Sequence, residues 1–355
     1  MSYEAYIGTR PVADAHRFDV GALERYMRAN VEGFSGALAV EQFKGGQSNP
    51  TYRLTAGGKA YVMRRKPPGK LLPSAHAVDR EYRVITALAG SDVPVPPTYA
   101  LCTDESVTGS MFFLMDCVEG RVLWDPQLPG MPREERAAIF DEMNRVIAAL
   151  HRVDYAAIGL ADYGKPGNYF ARQVDRWSRQ YKASETEKIE AMDRLMEWLP
   201  QNIPASDETS IVHGDYRLDN MIFHATEPRI LAVLDWELST LGHPMADFSY
   251  HLMAWRLSST EFRGLRGADL AALGIPGEGE YIDKYLQRAG TRHPPTAKDL
   301  AFCMAYNMFR AAAIFQGVMA RALAGNAASA QAIEVGSRTR PMAELGWKQV
   351  EEMNA

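Results

Sequence analysis

The spacing of apolar and turn-forming residues changes at about residue 120, and this change limits the folds open to the chain. Before it, short apolar runs alternate with turn signals such as Gly57-Gly58, a pattern that predicts paired β-strands. After Gly120 the apolar residues recur at the spacing of amphipathic helices. The sequence therefore predicts an α+β fold with a small antiparallel sheet lobe, residues 1–119, and a larger helical lobe, residues 120–355.

Turn signals and periodicity also predict the individual elements. Five strands are expected, at about 37–43, 51–55, 60–64, 98–102 and 110–118. Helices are expected within the first 35 residues and at about 77–89, 132–151, 168–183, 187–199, 246–257, 279–289 and 297–324. A short β-rich segment, Ser210–Trp236, interrupts the helical region.

Composition excludes several classes of protein. A hydrophobic fraction of 46% over 355 residues is that of a globular chain, and a net charge of −5 gives no sign of nucleic-acid binding. The three cysteines form no CxxC pair, so we expect a reducing, cytoplasmic setting. The N-terminus lacks the pattern of a signal peptide, and polar residues interrupt the most apolar stretch, 301–325, so no membrane span is expected. The oligomeric state stays open.

The β-rich segment brings polar side chains to the ends of two short strands. Met221–Phe223 and Ile230–Leu234 flank a turn-rich linker, so they should pair as a hairpin. Asn220 comes just before the first strand and Asp235 just after the second, which makes them neighbours at the open end of the hairpin. An amide oxygen beside a carboxylate suits Mg²⁺, which prefers oxygen ligands and keeps several waters.

A third polar residue lies in the loop before this hairpin. Asp215 precedes Asn220 by five residues, so it can accept a proton beside the metal instead of binding it. Phosphoryl transfer needs metal ions on the phosphate oxygens and one carboxylate that orients the attacking hydroxyl. The spacing His213-x-Asp215-x-x-x-x-Asn220 alone would arise by chance on the order of a few per cent of the time, and Asp235 alone could cap a helix. Both motifs on one hairpin favour a phosphotransferase.

These motifs resemble those of the aminoglycoside phosphotransferase and choline-kinase-like family, small-molecule relatives of the protein kinases. His213-Gly-Asp215-x-x-x-x-Asn220 resembles the catalytic loop of the family, and Asp235-Trp-Glu resembles its metal-binding motif. The resemblance covers about residues 36–325 and implies a bilobal, protein-kinase-like fold with ATP and Mg²⁺ between the lobes. It implies that Asp215 is the catalytic base, that Asn220 and Asp235 are metal ligands, and that His213 braces the loop.

In the sheet lobe, the resemblance implies a nucleotide site. The turn Gly45-Gly46-Gln47-Ser48-Asn49 would bring backbone N–H groups to phosphate oxygens. Arg64 stands where kinases present a phosphate-binding lysine, and a guanidinium can bind phosphate bidentately. Lys66 lies on the same strand face, so the choice between Arg64 and Lys66 stays open. Glu81 resembles the helix glutamate that pairs with this cation.

Two further positions follow from the resemblance. Backbone groups from Asp116 to Val118, at the end of the last strand of the sheet lobe, would bind adenine. Asp247 matches a downstream aspartate of the family and would brace the backbone of the catalytic loop.

The acceptor is expected to be a small molecule, because the short interval after Asp235 leaves no platform for a protein substrate. Residues 251–355 hold 12 Lys and Arg against 10 Asp and Glu, a balance that does not suit polycationic aminoglycosides. Side chains that could line the acceptor pocket are Trp236, Glu237, Trp255, Asn307 and Arg310.

A subgroup within the family is favoured by longer strings. Gly-Gly-Gln-Ser-Asn-Pro and Val-Leu-Asp-Trp-Glu-Leu-Ser-Thr-Leu-Gly resemble the kinase portion of some fused acyl-CoA dehydrogenases, although His243 stands where an acidic residue is expected. This resemblance implies phosphorylation of a hydroxy acid or a hydroxyacyl-CoA. The alternatives are an aminoglycoside or choline-like alcohol kinase, a catalytically silent nucleotide-binding regulator, and a metal-dependent hydrolase.

Overall fold

A computed structural model describes residues 7–45, 49–68, 76–259, 262–291, 294–325 and 331–354. Its strands are β1 (Thr9–Arg10), β2 (Ala39–Phe43), β3 (Thr51–Ala56), β4 (Lys59–Arg65), β5 (Thr98–Cys102), β6 (Phe112–Asp116), β7 (Ser210–Val212), β8 (Met221–Phe223), β9 (Ile230–Val233) and β10 (Thr240–Gly242). Its helices are α1 (Val20–Asn30), α2 (Val78–Leu88), α3 (Glu105–Thr108), α4 (Arg133–Arg152), α5 (Tyr169–Ser184), α6 (Glu190–Gln201), α7 (Pro244–Arg256), α8 (Leu270–Leu273), α9 (Glu278–Ala289), α10 (Ala297–Leu323), α11 (Ala332–Ser337) and α12 (Thr339–Asn354). They form two compact units.

The first unit comprises the chain up to Trp124 together with Ala156–Leu160 and Asp219–Ser239. Six strands form one sheet in the order β1-β2-β3-β4-β6-β5, with every pair antiparallel. The hairpin of β8 and β9 belongs to the same unit. Between β5 and β6 the chain forms the short helix α3.

Strict alternation along β4 and β6 separates the two faces of this sheet. Tyr61 and Met63 of β4 pack with Phe112 and Leu114 of β6 in the core that α1 covers. The intervening residues, such as Arg64, point to the opposite face and line a cavity. One strand therefore supplies both core and candidate site.

The segment after β6 runs beside β8 within the first unit. Arg121 and Phe223 exchange backbone hydrogen bonds of 2.7 and 2.8 Å. A Cβ at Gly120 would lie 2.2 Å from the carbonyl oxygen of Phe223, so only glycine permits this approach.

The second unit comprises Asp125–Tyr155, Ala161–Leu218 and the chain from Thr240 onward. The long helix α10 packs against α5, α6, α7, α11 and α12, and α4 packs against α9. The two-stranded ladder of β7 and β10 holds the chain on either side of Asp219–Ser239 in this unit.

The predicted fold class, an antiparallel sheet followed by a larger helical part, is confirmed. The prediction of five strands in the first sheet was wrong, because the two-residue strand β1 adds a sixth. The three-residue strand β10, which pairs with β7, was not predicted from the sequence either. In the part of the chain that the structure describes, no helix is both long enough and apolar enough to cross a bilayer.

Candidate functional site

A cavity of about 450 Å³ opens in the first unit on the face of β4 and β6 opposite the core. One part of its lining is apolar and includes Val62, Phe113, Met115 and Val233. Polar side chains line the remainder. The cavity lining includes most of the sequence-predicted positions of this unit: Gly45, Arg64, Glu81, Asp116, Val118, Asn220 and Asp235. An apolar surface beside a polar one suits a ligand with an aromatic base and a charged tail.

Arg64 lies at the centre of the polar part. Its Nε atom is 2.8 Å from Oε2 of Glu81, and its Nη2 atom donates a 2.6 Å hydrogen bond to Oδ1 of Asp235. The same Nη2 atom is 3.5 Å from Oε2 of Glu237. Lys66 does not line the cavity, and its ammonium lies 4.0 Å from Asp79. The predicted partnership between the strand cation and Glu81 therefore forms through Arg64.

Three carboxylates and one guanidinium make this cluster rich in negative charge. Burial by itself would lower the pKa of Arg64, but Glu81, Asp235 and Glu237 outweigh it and raise that pKa. Burial also raises the pKa of Glu81 to about 7, with Arg64 opposing the rise and the other two carboxylates adding to it. A further cation placed here would relieve this imbalance.

The side chain of Asn49 belongs to the network around Arg64. Its side chain is fully buried, and its Nδ2 atom donates to Glu81 at 3.0 Å and to Glu237 at 3.3 Å, while Oδ1 faces His76 at 3.1 Å. Asn49 therefore holds carboxylates that surround Arg64, and its predicted part in nucleotide binding stays a prediction. Gly46, Gln47 and Ser48 lie outside the described residues.

The hairpin of β8 and β9 forms as predicted and brings Asn220 and Asp235 to its open end. The Leu234 N–H donates a 2.8 Å hydrogen bond to the carbonyl of Asn220, which closes the ladder one residue before Asp235. Asp235 has a left-handed backbone (φ 64°), which aspartate tolerates better than most residues. Among the residues that the structure describes, no three His, Cys, Asp or Glu side chains are grouped as a protein-only metal site requires.

The segment from Asp116 to Val118 follows β6 along the cavity. The backbone N–H of Asp116 donates to the carbonyl of Pro97 at 2.8 Å, and its carboxylate accepts a 2.8 Å hydrogen bond from Tyr99. These contacts fix the end of the strand.

The loop after β7, in the second unit, carries His213 and Asp215. The carboxylate of Asp247 is 2% exposed and accepts hydrogen bonds from the backbone N–H groups of His213 (2.7 Å) and Gly214 (2.8 Å). It also contacts His151 at 3.2 Å, and although burial alone would raise the pKa of Asp247, these donors lower it. Asp247 thus makes the predicted bracing contacts.

Two features give this loop its shape. Gly214 has φ +83°, a left-handed conformation that strongly favours glycine. The Nδ1 atom of His213 accepts a 3.1 Å hydrogen bond from the backbone N–H of Asp215, so the histidine supports the loop from within.

The side chain of Asp215 contacts Tyr250 and Arg217. The Tyr250 hydroxyl lies 2.5 Å from Oδ1 of Asp215, and Nε of Arg217 lies 3.2 Å from the same oxygen. Tyr250 was missed in the sequence. The available signal was its spacing from Asp247, since residues three apart share one face of a helix.

The side chains predicted to line an acceptor pocket have other partners. Arg310 is buried and donates to the carbonyl of Gly214 at 2.8 Å, and Asn307 donates to the carbonyl of Ala246 at 2.9 Å. The indole nitrogens of Trp236 and Trp255 donate 2.9 Å hydrogen bonds to backbone carbonyls inside their own units. Glu237 belongs to the cluster around Arg64. These contacts place Trp236, Trp255, Asn307 and Arg310 in the packing of their own units, and a place for the five residues in an acceptor pocket stays a prediction.

Comparisons with known proteins agree with this arrangement. The model of the phosphotransferase enzyme family matches residues 39–303. The chain is 46% identical to acyl-CoA dehydrogenase family member 10 of Mus musculus over 342 residues, which are 96% of this chain and 32% of that protein. The chain spans between about a third and a half of the length of such curated relatives.

Solved structures show the same fold. A Ralstonia eutropha JMP134 protein, provisionally named an aminoglycoside phosphotransferase, is 62% identical with a TM-score of 0.87, over 95% of this chain and 99% of that chain. Aminoglycoside phosphotransferase APH(4)-Ia, solved with ADP and hygromycin B, is 14% identical with a TM-score of 0.58, over 92% of this chain and 98% of its own. The predicted kinase-like fold is confirmed. The family model matches most of the chain, so the chain belongs to the phosphotransferase enzyme family and is a small-molecule kinase.

Proposed function

We propose that the protein transfers the γ-phosphate of ATP, with Mg²⁺, to the hydroxyl of a small hydroxy acid or hydroxyacyl-CoA. The observation that carries the proposal is that Asn220 and Asp235 line the same cavity as the paired side chains of Arg64 and Glu81. Metal ligands and a phosphate-binding cation are the two protein components that phosphoryl transfer requires beside a base.

The cavity suits a nucleotide. Its volume of about 450 Å³ falls in the range of roughly 300–1,000 Å³ that is usual for small-molecule sites. The apolar lining around Val62, Phe113 and Val233 would hold the base, with the backbone from Asp116 to Val118 beside it. Arg64 would hold phosphate oxygens at the polar end.

The donor set suits Mg²⁺. Two oxygen-bearing side chains, Asn220 and Asp235, would hold the ion in a cluster whose carboxylates outnumber its guanidinium. Few protein ligands are expected for Mg²⁺, because it retains waters and binds nucleotide phosphates. When bound, the ion would neutralise charge on the phosphate oxygens.

Asp215 would act as the general base. The carboxylate of Asp247 accepts a hydrogen bond from the loop backbone and Arg310 donates one to it, which fixes the loop, and Arg217 and Tyr250 contact the carboxylate of Asp215. A carboxylate held in this way can orient an acceptor hydroxyl and take its proton. Since four residues separate Asp215 from Asn220, base and metal ligand belong to one continuous stretch of chain.

The acceptor class is supported by the relatives. The mouse relative is named as an acyl-CoA dehydrogenase family member, and this chain matches about a third of it. A kinase joined to an enzyme of acyl-CoA chemistry is expected to act on a related acyl compound. The near-neutral charge balance of residues 251–355 also favours an acidic or neutral acceptor over a polycation.

A phosphate-transfer screen tests the proposal. Purified protein is incubated with γ-labelled ATP and Mg²⁺ and with hydroxyacyl-CoA esters, hydroxy acids, choline-like alcohols or aminoglycosides. We expect transfer to at least one hydroxyacyl-CoA or hydroxy acid and little transfer to kanamycin-like polycations. Asp215→Asn is the matched control, and it should lower kcat by about 10²–10⁴-fold while MgADP still binds.

The alternatives give different results in the same screen. Efficient transfer to an aminoglycoside alone would replace the acceptor class and leave the kinase chemistry in place. MgADP binding without turnover on any acceptor would indicate a regulator, and the absence of nucleotide binding would contradict the proposed use of ATP. Nearly unchanged turnover of Asp215→Asn would remove Asp215 from its role.

A further inference from the structure

The face of α7 that carries Asp247 also carries Tyr250, and both side chains reach the same loop. Asp247 accepts hydrogen bonds from the backbone of that loop, while the hydroxyl of Tyr250 lies 2.5 Å from Oδ1 of Asp215. Three residues of spacing place both on one face of the helix. One helix therefore holds the loop backbone and the carboxylate that the loop presents.

The direction of this hydrogen bond follows from the chemistry of the pair. Burial, together with the nearby carboxylate of Asp215, raises the pKa of Tyr250, so the phenol keeps its proton and donates. An O–H···O⁻ distance of 2.5 Å lies in the short range of charge-assisted hydrogen bonds, which are stronger than neutral ones. Tyr250 is thus a firm contact of the Asp215 carboxylate.

The tyrosine ring is itself fixed from the other side. The guanidinium of Arg310 lies 5.4 Å from the centre of the Tyr250 ring and 5.8 Å from that of Trp177. Arg310 also donates to the carbonyl of Gly214, so its position is tied to the same loop. Arg217 contacts the same oxygen of Asp215 at 3.2 Å, but its side chain is 45% exposed and water competes for it. The partly buried phenol is therefore the better orienting group.

We propose that Tyr250 is a positioning residue for phosphoryl transfer: its hydroxyl holds the carboxylate of Asp215 in the orientation needed to accept the proton of the acceptor. This inference rests on the proposed role of Asp215 as the base. The phenol donates to the carboxylate before and after the transfer, and the proton of the acceptor goes to Asp215. Tyr250 acts through Asp215 and contributes orientation alone.

The test compares kcat and KM in Tyr250→Phe, which removes the hydroxyl and keeps the ring over Arg310. Turnover is measured as ADP formation from MgATP, with water and with each acceptor of the screen above. We expect kcat to fall about 10–100-fold while the KM for ATP, the Kd for MgADP and the melting temperature stay close to those of the wild type. Tyr181→Phe is the matched control, because among the described residues the buried hydroxyl of Tyr181 has no hydrogen-bond partner; its kcat should be unchanged.

A double-mutant cycle separates positioning from a general structural role. If Tyr250 acts through Asp215, then Tyr250→Phe should cost less than twofold in kcat when Asp215 is already asparagine. An equal loss in both backgrounds would assign the hydroxyl a structural role and overturn the inference. Should Tyr250→Phe fail to fold, Arg310→Lys gives the second measurement: it removes the planar support of the ring, and an unchanged kcat would likewise overturn the inference.

The inference and the proposed function fail in different ways. Unchanged kcat in Tyr250→Phe beside a large loss in Asp215→Asn would overturn the role of Tyr250 and leave the base in place. Little effect of Asp215→Asn, or no wild-type turnover with water or any acceptor, would contradict the proposed function and the inference with it.

Discussion

Arg64 shows how a single buried cation can organise a site of opposite charge. It contacts Glu81, Asp235 and Glu237, and Glu81 is only 1% exposed. A buried carboxylate left without its cation retains the full cost of having been removed from water. The guanidinium therefore stabilises the first unit as well as serving the proposed phosphate site.

Arg64→Met is expected to destabilise the protein by about 3–5 kcal/mol, because it leaves buried carboxylates without their cation. Denaturant unfolding monitored by tryptophan fluorescence measures the change. Lys66→Met, one residue beyond the end of β4, is the matched control. Since the side chain of Lys66 is 27% exposed and 4.0 Å from Asp79, the expected loss is below about 1 kcal/mol. Equal losses in the two variants would contradict the assignment of the cluster to Arg64.

At the scale of elements, α7 begins with a histidine that takes the role of an acidic cap. The Nδ1 atom of His243 accepts a 3.2 Å hydrogen bond from the backbone N–H of Met245, and its Nε2 atom faces Ser206 at 3.3 Å. The residue that departs from the expected sequence thus still supplies an N-cap acceptor. Since α7 carries Asp247 and Tyr250, this cap supports the loop that presents Asp215.

The cap makes stability depend on pH. Burial, followed by the effect of His151, lowers the pKa of His243 to about 4, against about 6.5 in an unfolded chain. Between these values the unfolded state binds more protons than the folded state, so the free energy of unfolding falls as pH falls from about 6.5 toward 4. From pH 7 to pH 5 this group should remove on the order of 2 kcal/mol.

His243→Asn tests this expectation, because asparagine is a good cap acceptor and carries no proton to titrate. Denaturant unfolding at pH 7 and pH 5 should show a smaller pH difference in the variant than in the wild type. His243→Ala should remove the cap as well and lose about 1 kcal/mol relative to His243→Asn at pH 7. An identical pH difference in wild type and His243→Asn would show that His243 does not cause it.

The segment after β6 approaches β8 closely at Gly120, and this contact can be tested by substitution. Gly120→Ala should force apart Arg121 and Phe223, because the new Cβ would meet the Phe223 carbonyl at 2.2 Å. Both stability and affinity for MgADP should fall, since Gly120 lines the cavity. Gly279→Ala, in an exposed position of α9 with open space around it, should be neutral or stabilising by up to about 1 kcal/mol. Unchanged MgADP binding in Gly120→Ala, measured by calorimetry, would contradict the role of this approach.

The sequence predicted the elements whose signal is local. Turn signals and alternation predicted the strands β2 to β6, and the turn between β8 and β9 predicted the hairpin with Asn220 and Asp235 at its end. The strands β1 and β10 have two and three residues, and their hydrogen bonds to β2 and β7 leave no pattern of their own. The network of Asn49 and the contact of Tyr250 join residues far apart in sequence, so only the fold reveals them.

At the scale of the whole molecule, the two units carry different parts of the proposed reaction. The cavity, the cluster around Arg64 and the pair Asn220 and Asp235 belong to the first unit, while Asp215 and the residues that hold it belong to the second. Binding of nucleotide with metal should therefore be separable from proton transfer by substitutions in one unit or the other.

A comparison of Asp235→Asn with Asp215→Asn tests this separation through stability and needs no acceptor. MgADP at about 100 times its Kd should stabilise the wild type by about 2.7 kcal/mol, and ADP with a chelator should stabilise it less. Asp235→Asn keeps a residue type that tolerates the left-handed backbone at φ 64° but weakens the metal ligand, so the gain from Mg²⁺ should largely disappear. Asp215→Asn should keep that gain in full while losing turnover. If both variants lost it equally, the base would also be a metal ligand, and the division of roles between Asp215 and Asp235 would have to be given up.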